Sequence, residues 1–265
     1  MSPIRINKDG IKIHSKDEFE MMRKSCKLAA ETLDMIYNYV EPGVTTDKLD
    51  SLCHEFILDN GAIPATLGYR GYPKSSCISI NHVVCHGIPN SKRLKNGDIL
   101  NIDVTCILNG WHGDTSRMFV AGEASLKAKR LIDITYNALL KGINIVKPGN
   151  HFGDIGDEIQ TFVESKNMSV VRDFCGHGLG ETFHSAPNVL HYGKKGTGPI
   201  FEEGMFFTIE PMVNLGKPDT KVLSDNWTAV TKDKSLSAQF EHSIGVTKGG
   251  YEIFTKSPSG LFYNP

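Results

Sequence analysis

Asp98-Ile99-Leu100-Asn101-Ile102-Asp103-Val104-Thr105-Cys106-Ile107-Leu108-Asn109-Gly110-Trp111-His112-Gly113-Asp114 is the stretch on which the fold turns. Its even positions from Leu100 to Leu108 are apolar, whereas Asn101, Asp103 and Thr105 alternate with them, which is the period of a strand with one core face. Asn109-Gly110 is the strongest short hairpin signal, and a two-residue turn there pairs Leu108 with Trp111, Thr105 with Asp114 and Asp103 with Ser116. Asp103 and Asp114 then become diagonal neighbours on one face, about 7–8 Å apart at Cα. Taken alone, such a face reads most simply as a solvated one.

Working outward, the hairpin has an echo. Residues 16–40 have helical apolar spacing and stop at Pro42-Gly43, and a second helix is expected from Asp47 to about Asp59, capped by Thr46. The same unit of helix, Pro-Gly break and helix recurs at residues 126–146, Pro148-Gly149 and Asp154 to Ser165, displaced by about 106 positions. The strand expected at Gly97–Val104 is likewise matched by one at Gly204–Pro211, which sets Glu210 at the place equivalent to Asp103. Two such copies suggest similar halves around one core, about 16–122 and 123–250 of a single domain 1–265, with a site at their seam. A further alternating strand is expected at Ala238–Ile244, with Glu241 beside Gln239 and Ser243; residues 193–204 and 214–226 read as loops.

Four strand carboxylates, Asp103, Asp114, Glu210 and Glu241, would not stay together uncompensated. Either their pKa values rise or cations neutralise them. His177, flanked by Gly176 and Gly178, is the candidate nitrogen ligand, since small neighbours allow close backbone approach. Mostly oxygen donors with one imidazole suit Mn, Fe(II), Co or Zn, and two such ions about 3.5–4 Å apart can hold a hydroxide that attacks a carbonyl. Metal-assisted hydrolysis is therefore the reaction class. No HExxH is present, and the glycines at 176, 178 and 180 lack the setting of a nucleotide site.

Composition narrows the field further. The 265 residues carry 29 basic and 30 acidic side chains, and a pI near 6.8 gives no general pull toward nucleic acid or membranes. No apolar run approaches a membrane span and MSPIRINKDG lacks a signal-peptide core, so a cytoplasmic protein is expected. Six irregularly spaced cysteines suggest reduced thiols.

The segments GYRGYPKSSCISINHVVCHGIPN (68–90), NIDVT (101–105), HGDTSRMF (112–119), CGHGLG (175–180), FHSAPNVLHY (183–192), TIEPM (208–212) and SLSAQFEHS (235–243) resemble the type I methionine aminopeptidases of peptidase family M24, in order along nearly the whole chain. The resemblance implies an α+β pita-bread fold, in which pseudo-two-fold halves form a curved antiparallel sheet backed by two helix pairs. It implies two divalent metal ions on Asp103, Asp114, His177, Glu210 and Glu241, with Asp114 and Glu241 bridging, Asp103 on one ion, and His177 and Glu210 on the other. It also implies that His86 and His184 contact the substrate and stabilise its oxyanion, that Glu210 relays a proton, and that Tyr69, Tyr72, Cys77, Phe183 and Trp227 form the methionine pocket. Thr66 stands where many relatives carry cysteine. A monovalent cation on Asn81, Val83 and Ser237 is a weaker carry-over.

The implied activity is removal of the initiator methionine from nascent chains with a small second residue, by a monomer, with the ribosome as an optional partner. Three other readings compete: a proline-specific aminopeptidase or prolidase of the same fold, a non-catalytic binding homologue, and a cysteine hydrolase using Cys85 or Cys175. The first generally carries an extra amino-terminal domain, the second would lack ligands, and the third leaves the repeated carboxylates unexplained.

Overall fold

The computed structural model describes residues 5–261, so the outer four positions at each end of the expected 1–265 domain, including the start of MSPIRINKDG, lie outside it. Helix α1 (Lys16–Ile36) begins at a capping box: the Ser15 amide donates to Glu18 Oε2 at 2.7 Å while Ser15 Oγ accepts from the Glu18 amide. It tightens into a 3₁₀ turn at Tyr37–Tyr39 before the Pro42-Gly43 break. Helix α2 (Thr46–Asp59) starts one residue earlier than expected. Thr45 is its cap, accepting from the Lys48 amide at 3.2 Å, because the Thr46 hydroxyl is committed to both the carbonyl and the amide of Asn90.

Helix α3 (Leu126–Asn144) follows its Ser125 cap, and residues 145 and 146 continue it as a tighter turn. Helix α4 (Phe152–Glu164) begins two residues before Asp154. Asp154 is its third residue, and its carboxylate reaches back 2.9 Å to accept the His151 amide, so the acidic residue supports the start from inside the first turn.

The strands Asp98–Leu108 and Trp111–Ala121 pair in the expected register, Leu108 with Trp111 and Asp103 with Ser116. Asn109 and Gly110 both have positive φ, as the two-residue turn requires. Cys77–Ile80 and Ile63–Pro64 flank the other edge of Asp98–Leu108. In the second half, Phe206–Ile209 pairs with Gly176–Gly178 on one side and His242–Thr247 on the other. Met212–Asn214 pairs with Ser237–Gln239. The stretch 214–226 is not all loop: Thr220–Val222 pairs with Ala229–Thr231.

The strand expected as continuous from Ala238 to Ile244 is two strands broken at Phe240 and Glu241, and Phe206 to Asn214 is broken in the same way at Glu210 and Pro211. Proline cannot donate to a ladder, and a local break re-aims the neighbouring side chain. A glutamate stands in each break. The two halves are laced across this region: the Glu241 amide donates to Ser116 O at 3.0 Å, Thr115 Oγ1 to Glu241 O at 2.8 Å, Ser243 Oγ to Asp114 O at 2.6 Å, and Asn101 Nδ2 to Gln239 O at 2.8 Å.

Each helix pair covers its own sheet. Leu33, Ile36, Leu49 and Ile57 of α1 and α2 pack on Ile78, Leu100, Ile102 and Val104. Leu131, Leu139, Ile155 and Ile159 of α3 and α4 pack on Phe207, Ile209 and Ile244. The helix pairs cover one face of each sheet, and the hairpin's polar face, on the other side, is enclosed by residues of the second half rather than solvated. Asn101, Thr105 and Asp114 are all buried. Among the described residues no helix is long and apolar enough to cross a membrane.

Candidate metal centre and substrate cavity

All five residues read as donors, Asp103, Asp114, His177, Glu210 and Glu241, line one cavity of about 480 Å³ between the sheets. Ligand atoms of Asp114, His177 and Glu241 lie within 4.8 Å of one another. His177 Nε2 is 3.4 Å from Asp114 Oδ2 and 3.7 Å from Glu210 Oε1. The glycines beside His177 are there for space: a Cβ at Gly178 would sit 2.1 Å from Ala186 O, and one at Gly176 would sit 2.4 Å from Thr208 O. Any side chain at either place would push the histidine strand off its neighbours.

Hydroxyl and amide groups aim the carboxylates. Thr105 Oγ1 donates to Asp114 Oδ1 at 2.7 Å, Thr208 Oγ1 to Glu210 Oε1 at 2.7 Å, and Gln239 Nε2 to Glu210 Oε2 at 3.2 Å. The Thr208 hydroxyl also accepts the His177 amide at 3.0 Å, tying histidine and glutamate together. Behind them the Glu210 amide donates to Nε2 of His191, which burial holds neutral by lowering its pKa to about 3. Sequence reasoning named neither Thr208 nor His191 as part of the site; nothing local in the sequence marks them, because both act from behind the carboxylate.

The electrostatics of the cluster follow from burial and like charge. Burial first, then the charges of Asp114 and Glu210, push Asp103 well above the usual carboxylate range. Glu241 is raised for the same reasons, burial and then Asp114, Glu210 and Asp103. Burial also pushes Glu210 up to about 7, against the opposing influence of His177 and Thr208. His177 is raised: burial works against its charged form, but Asp114 and Glu210 more than offset it. Asp103 Oδ1 is buried with no hydrogen-bond partner among the described residues. Carboxylates in mutual repulsion, one with an orphaned oxygen, beside an imidazole form a donor set that fits divalent cations.

One consequence is measurable. A buried carboxylate with a raised folded-state pKa binds more protons folded than unfolded, so stability falls as pH rises between the two values. For chelator-stripped protein, Tm is expected to decline from pH 4.5 toward the Glu210 value of about 7, and added divalent cation is expected to restore it most at the upper end. Thermal unfolding with and without metal across this range checks it; a flat difference between the two forms would contradict the reading.

The rest of the cavity wall divides by chemistry. Tyr72, Cys77 and Phe183 are buried, and Trp227 is half-buried with its ring edge-on to Tyr72 at 5.1 Å. Tyr72 is fixed through its hydroxyl, which donates to the carbonyls of Ser76 and Gly87. Phe183 stacks on His112 at 5.4 Å and leans on Tyr69 at 4.9 Å. His86 occupies the left-handed region at φ 55 just after the strand Val83–Cys85, edge-on to Phe174 and Trp227, and burial lowers its pKa. His184 is an exposed residue of the cavity wall whose Nδ1 lies 2.8 Å from the Tyr69 hydroxyl; burial of its ring, then the charge of His177, lowers its pKa to about 4. Thr66 lines the cavity beside Tyr69. Arg70 and Asn188, at the same wall, went unread in the sequence.

Away from the cluster, the Ser237 amide donates to Asn81 O at 2.8 Å, and Val83 pairs with Val230, so the three residues considered for a monovalent cation lie on neighbouring segments. The thiols of Cys85 and Cys175 are both pushed up by burial. A cysteine nucleophile needs the opposite shift.

Fold and site together define a metal-dependent hydrolase built from two sheet-and-helix-pair halves. Residues 20–248 match metallopeptidase family M24, and the chain belongs to that family. It is 61% identical to methionine aminopeptidase of Rickettsia prowazekii over 96% of this chain and 99% of that one. It is 53% identical to the Escherichia coli K12 methionine aminopeptidase, covering 92% and 94% respectively. The crystal structure of the Rickettsia prowazekii enzyme superposes with a TM-score of 0.92 over 92% of this chain and 99% of that chain. The α+β architecture expected of the pita-bread fold is thus the one observed.

Proposed function

We propose that this chain is an aminopeptidase that removes the initiator methionine from nascent polypeptides whose second residue is small. The observation that carries the reading is the composition of one cavity, lined both by the five metal donors and by Tyr72, Cys77, Phe183 and Trp227. Aromatic rings suit the unbranched side chain and polarizable thioether of methionine. The near full-length likeness to methionine aminopeptidases supports it.

In this reading Asp103, Asp114, His177, Glu210 and Glu241 would hold two divalent cations. When bound, such ions supply Lewis acidity at the scissile carbonyl and acidify the attacking water. The chain's own groups do the remaining work. Asp103 receives the free α-amine, which restricts cleavage to the first peptide bond. Glu210, its oxygens fixed by Thr208 and Gln239, takes the proton from water and passes it to the departing amine. His86 and His184 donate to the carbonyl oxygen as negative charge develops there. A close wall over the second residue rejects bulky side chains by clash. Mn, Fe(II), Co and Zn all suit the donor set. The cytoplasm, a monomeric state, an optional ribosome contact, the monovalent cation and the two-repeat domain spanning 16–122 and 123–250 belong to the same proposal.

Turnover of Met-Ala-Ser and Ala-Pro-Ser by chelator-stripped protein, with each metal added back, tests it. Metal-dependent methionine release from the first peptide alone is expected. Cleavage of only the proline peptide would move the chain to the proline-specific members of the fold, and cleavage of neither with metal bound would leave a binding protein.

A further inference from the structure

His184 raises a problem that the donor cluster does not answer. An imidazole that is to donate to a carbonyl oxygen must carry a proton on the nitrogen facing the substrate, and a neutral ring has two tautomers, one of which presents a bare nitrogen there instead. The only hydrogen-bond partner of this ring among the described residues is the phenol of Tyr69, 2.8 Å from Nδ1. The Tyr69 hydroxyl in turn has no carbonyl or carboxylate acceptor among the described residues. A phenol that donates to Nδ1 leaves the imidazole proton on Nε2.

We propose that Tyr69 is a positioning residue for His184, its phenol fixing both the ring's orientation and the tautomer that offers Nε2–H to the substrate carbonyl. The inference rests on the reading above that His184 serves that carbonyl. The Tyr69 ring does not depend on its hydroxyl for its place: it lies against Phe183 at 4.9 Å, and the Arg70 guanidinium sits over it at 5.3 Å. A cation over the ring face also draws electron density from the phenol and strengthens it as a donor. Arg70 adopts φ 47, a conformation rare for such a residue, and that turn sets its side chain and Tyr69 side by side.

Because packing holds the ring, Tyr69→Phe removes the donor and little else. In the metal-loaded enzyme acting on Met-Ala-Ser, kcat is expected to fall roughly tenfold with KM changed less than about twofold, the pattern of an interaction realised at the transition state. In a His184→Ala background the same substitution is expected to have no further effect, since Tyr69 acts only through that ring. Nitrogen-15 NMR of His184 is expected to show the Nε2–H tautomer in the parent and a mixture or a mobile ring in Tyr69→Phe. An unchanged kcat in the single variant, additive losses in the double variant, or a parent proton on Nδ1 would each overturn the proposal. Absence of methionine release by the parent enzyme would instead overturn the function on which it rests, while the NMR result would still decide the tautomer.

Discussion

Glu210→Gln and His177→Ala are each expected to lower methionine release by at least about 10³-fold while leaving the fold intact. Glutamine has the shape of glutamate, and its amide can keep its oxygen on Gln239 Nε2 while its nitrogen donates to the Thr208 hydroxyl, reversing that one hydrogen bond. What goes is a charge. The carboxylate is a donor to the cations and the proton carrier between water and leaving amine, and an amide does neither. In the metal-free state Glu210→Gln removes one member of a mutually repelling group, so stripped protein is expected to be at least as stable as the parent. His177→Ala deletes the one imidazole of the cluster and leaves Asp114 and Glu210 without it. Circular dichroism and thermal unfolding report the fold, and peptide turnover with saturating metal reports the chemistry. Substantial turnover by either variant would remove that residue from the ligand set.

The second large effect lies outside the cavity. Arg117, on the hairpin strand three residues beyond Asp114, is 1% exposed. Its guanidinium donates to Asp34 of α1 at 2.8 Å and to the carbonyl of Leu261 at 3.0 Å. Asp34 also accepts the Ser257 hydroxyl and the Ser259 amide, so one carboxylate joins helix, hairpin and carboxy-terminal segment. Removing one partner of a buried pair strands the other charge, and Asp34→Ala is expected to cost about 3–5 kcal/mol and lower Tm on the order of 10 °C. Asp34→Asn keeps a hydrogen-bond acceptor without the charge and should fall between. A loss under about 1 kcal/mol for Asp34→Ala would show that the pair is dispensable. The pH dependence of this pair has the opposite sign to that of the cavity. Burial alone would raise the Asp34 pKa, but Ser257 and Arg117 bring it below the usual carboxylate value. Its contribution is therefore complete above the unfolded carboxylate pKa and lost as pH falls through the folded one.

These two sites show how differently parts of the protein are written in its sequence. The pairing of Asp103 and Asp114 was legible from Asn109-Gly110 and a period of two, because a two-residue turn fixes register and register fixes faces. The four helices were legible within one or two residues at their starts. Their errors came from side chains with a second employer: the Thr46 hydroxyl serves Asn90, and Asp154 supports α4 from its third position. The Arg117–Asp34 pair had no local signature, since its members lie 83 positions apart and meet only because α1 lies on the hairpin.

By itself the sequence determined the hairpin, the paired helices, the chemical kind of the donors and, through its motifs, the family. Tertiary structure decided where the donors point. Glu210 and Glu241 meet the hairpin carboxylates in one cavity, each standing in a strand break that simple alternation does not reveal. The hairpin's polar face is buried because residues of the second half pack against it, which turns ordinary surface carboxylates into a repelling group that calls for cations. Turn chemistry and periodicity act between neighbours in the chain and can be read there. Burial, and every pKa that follows from it, depends on surfaces brought together from opposite ends of the sequence.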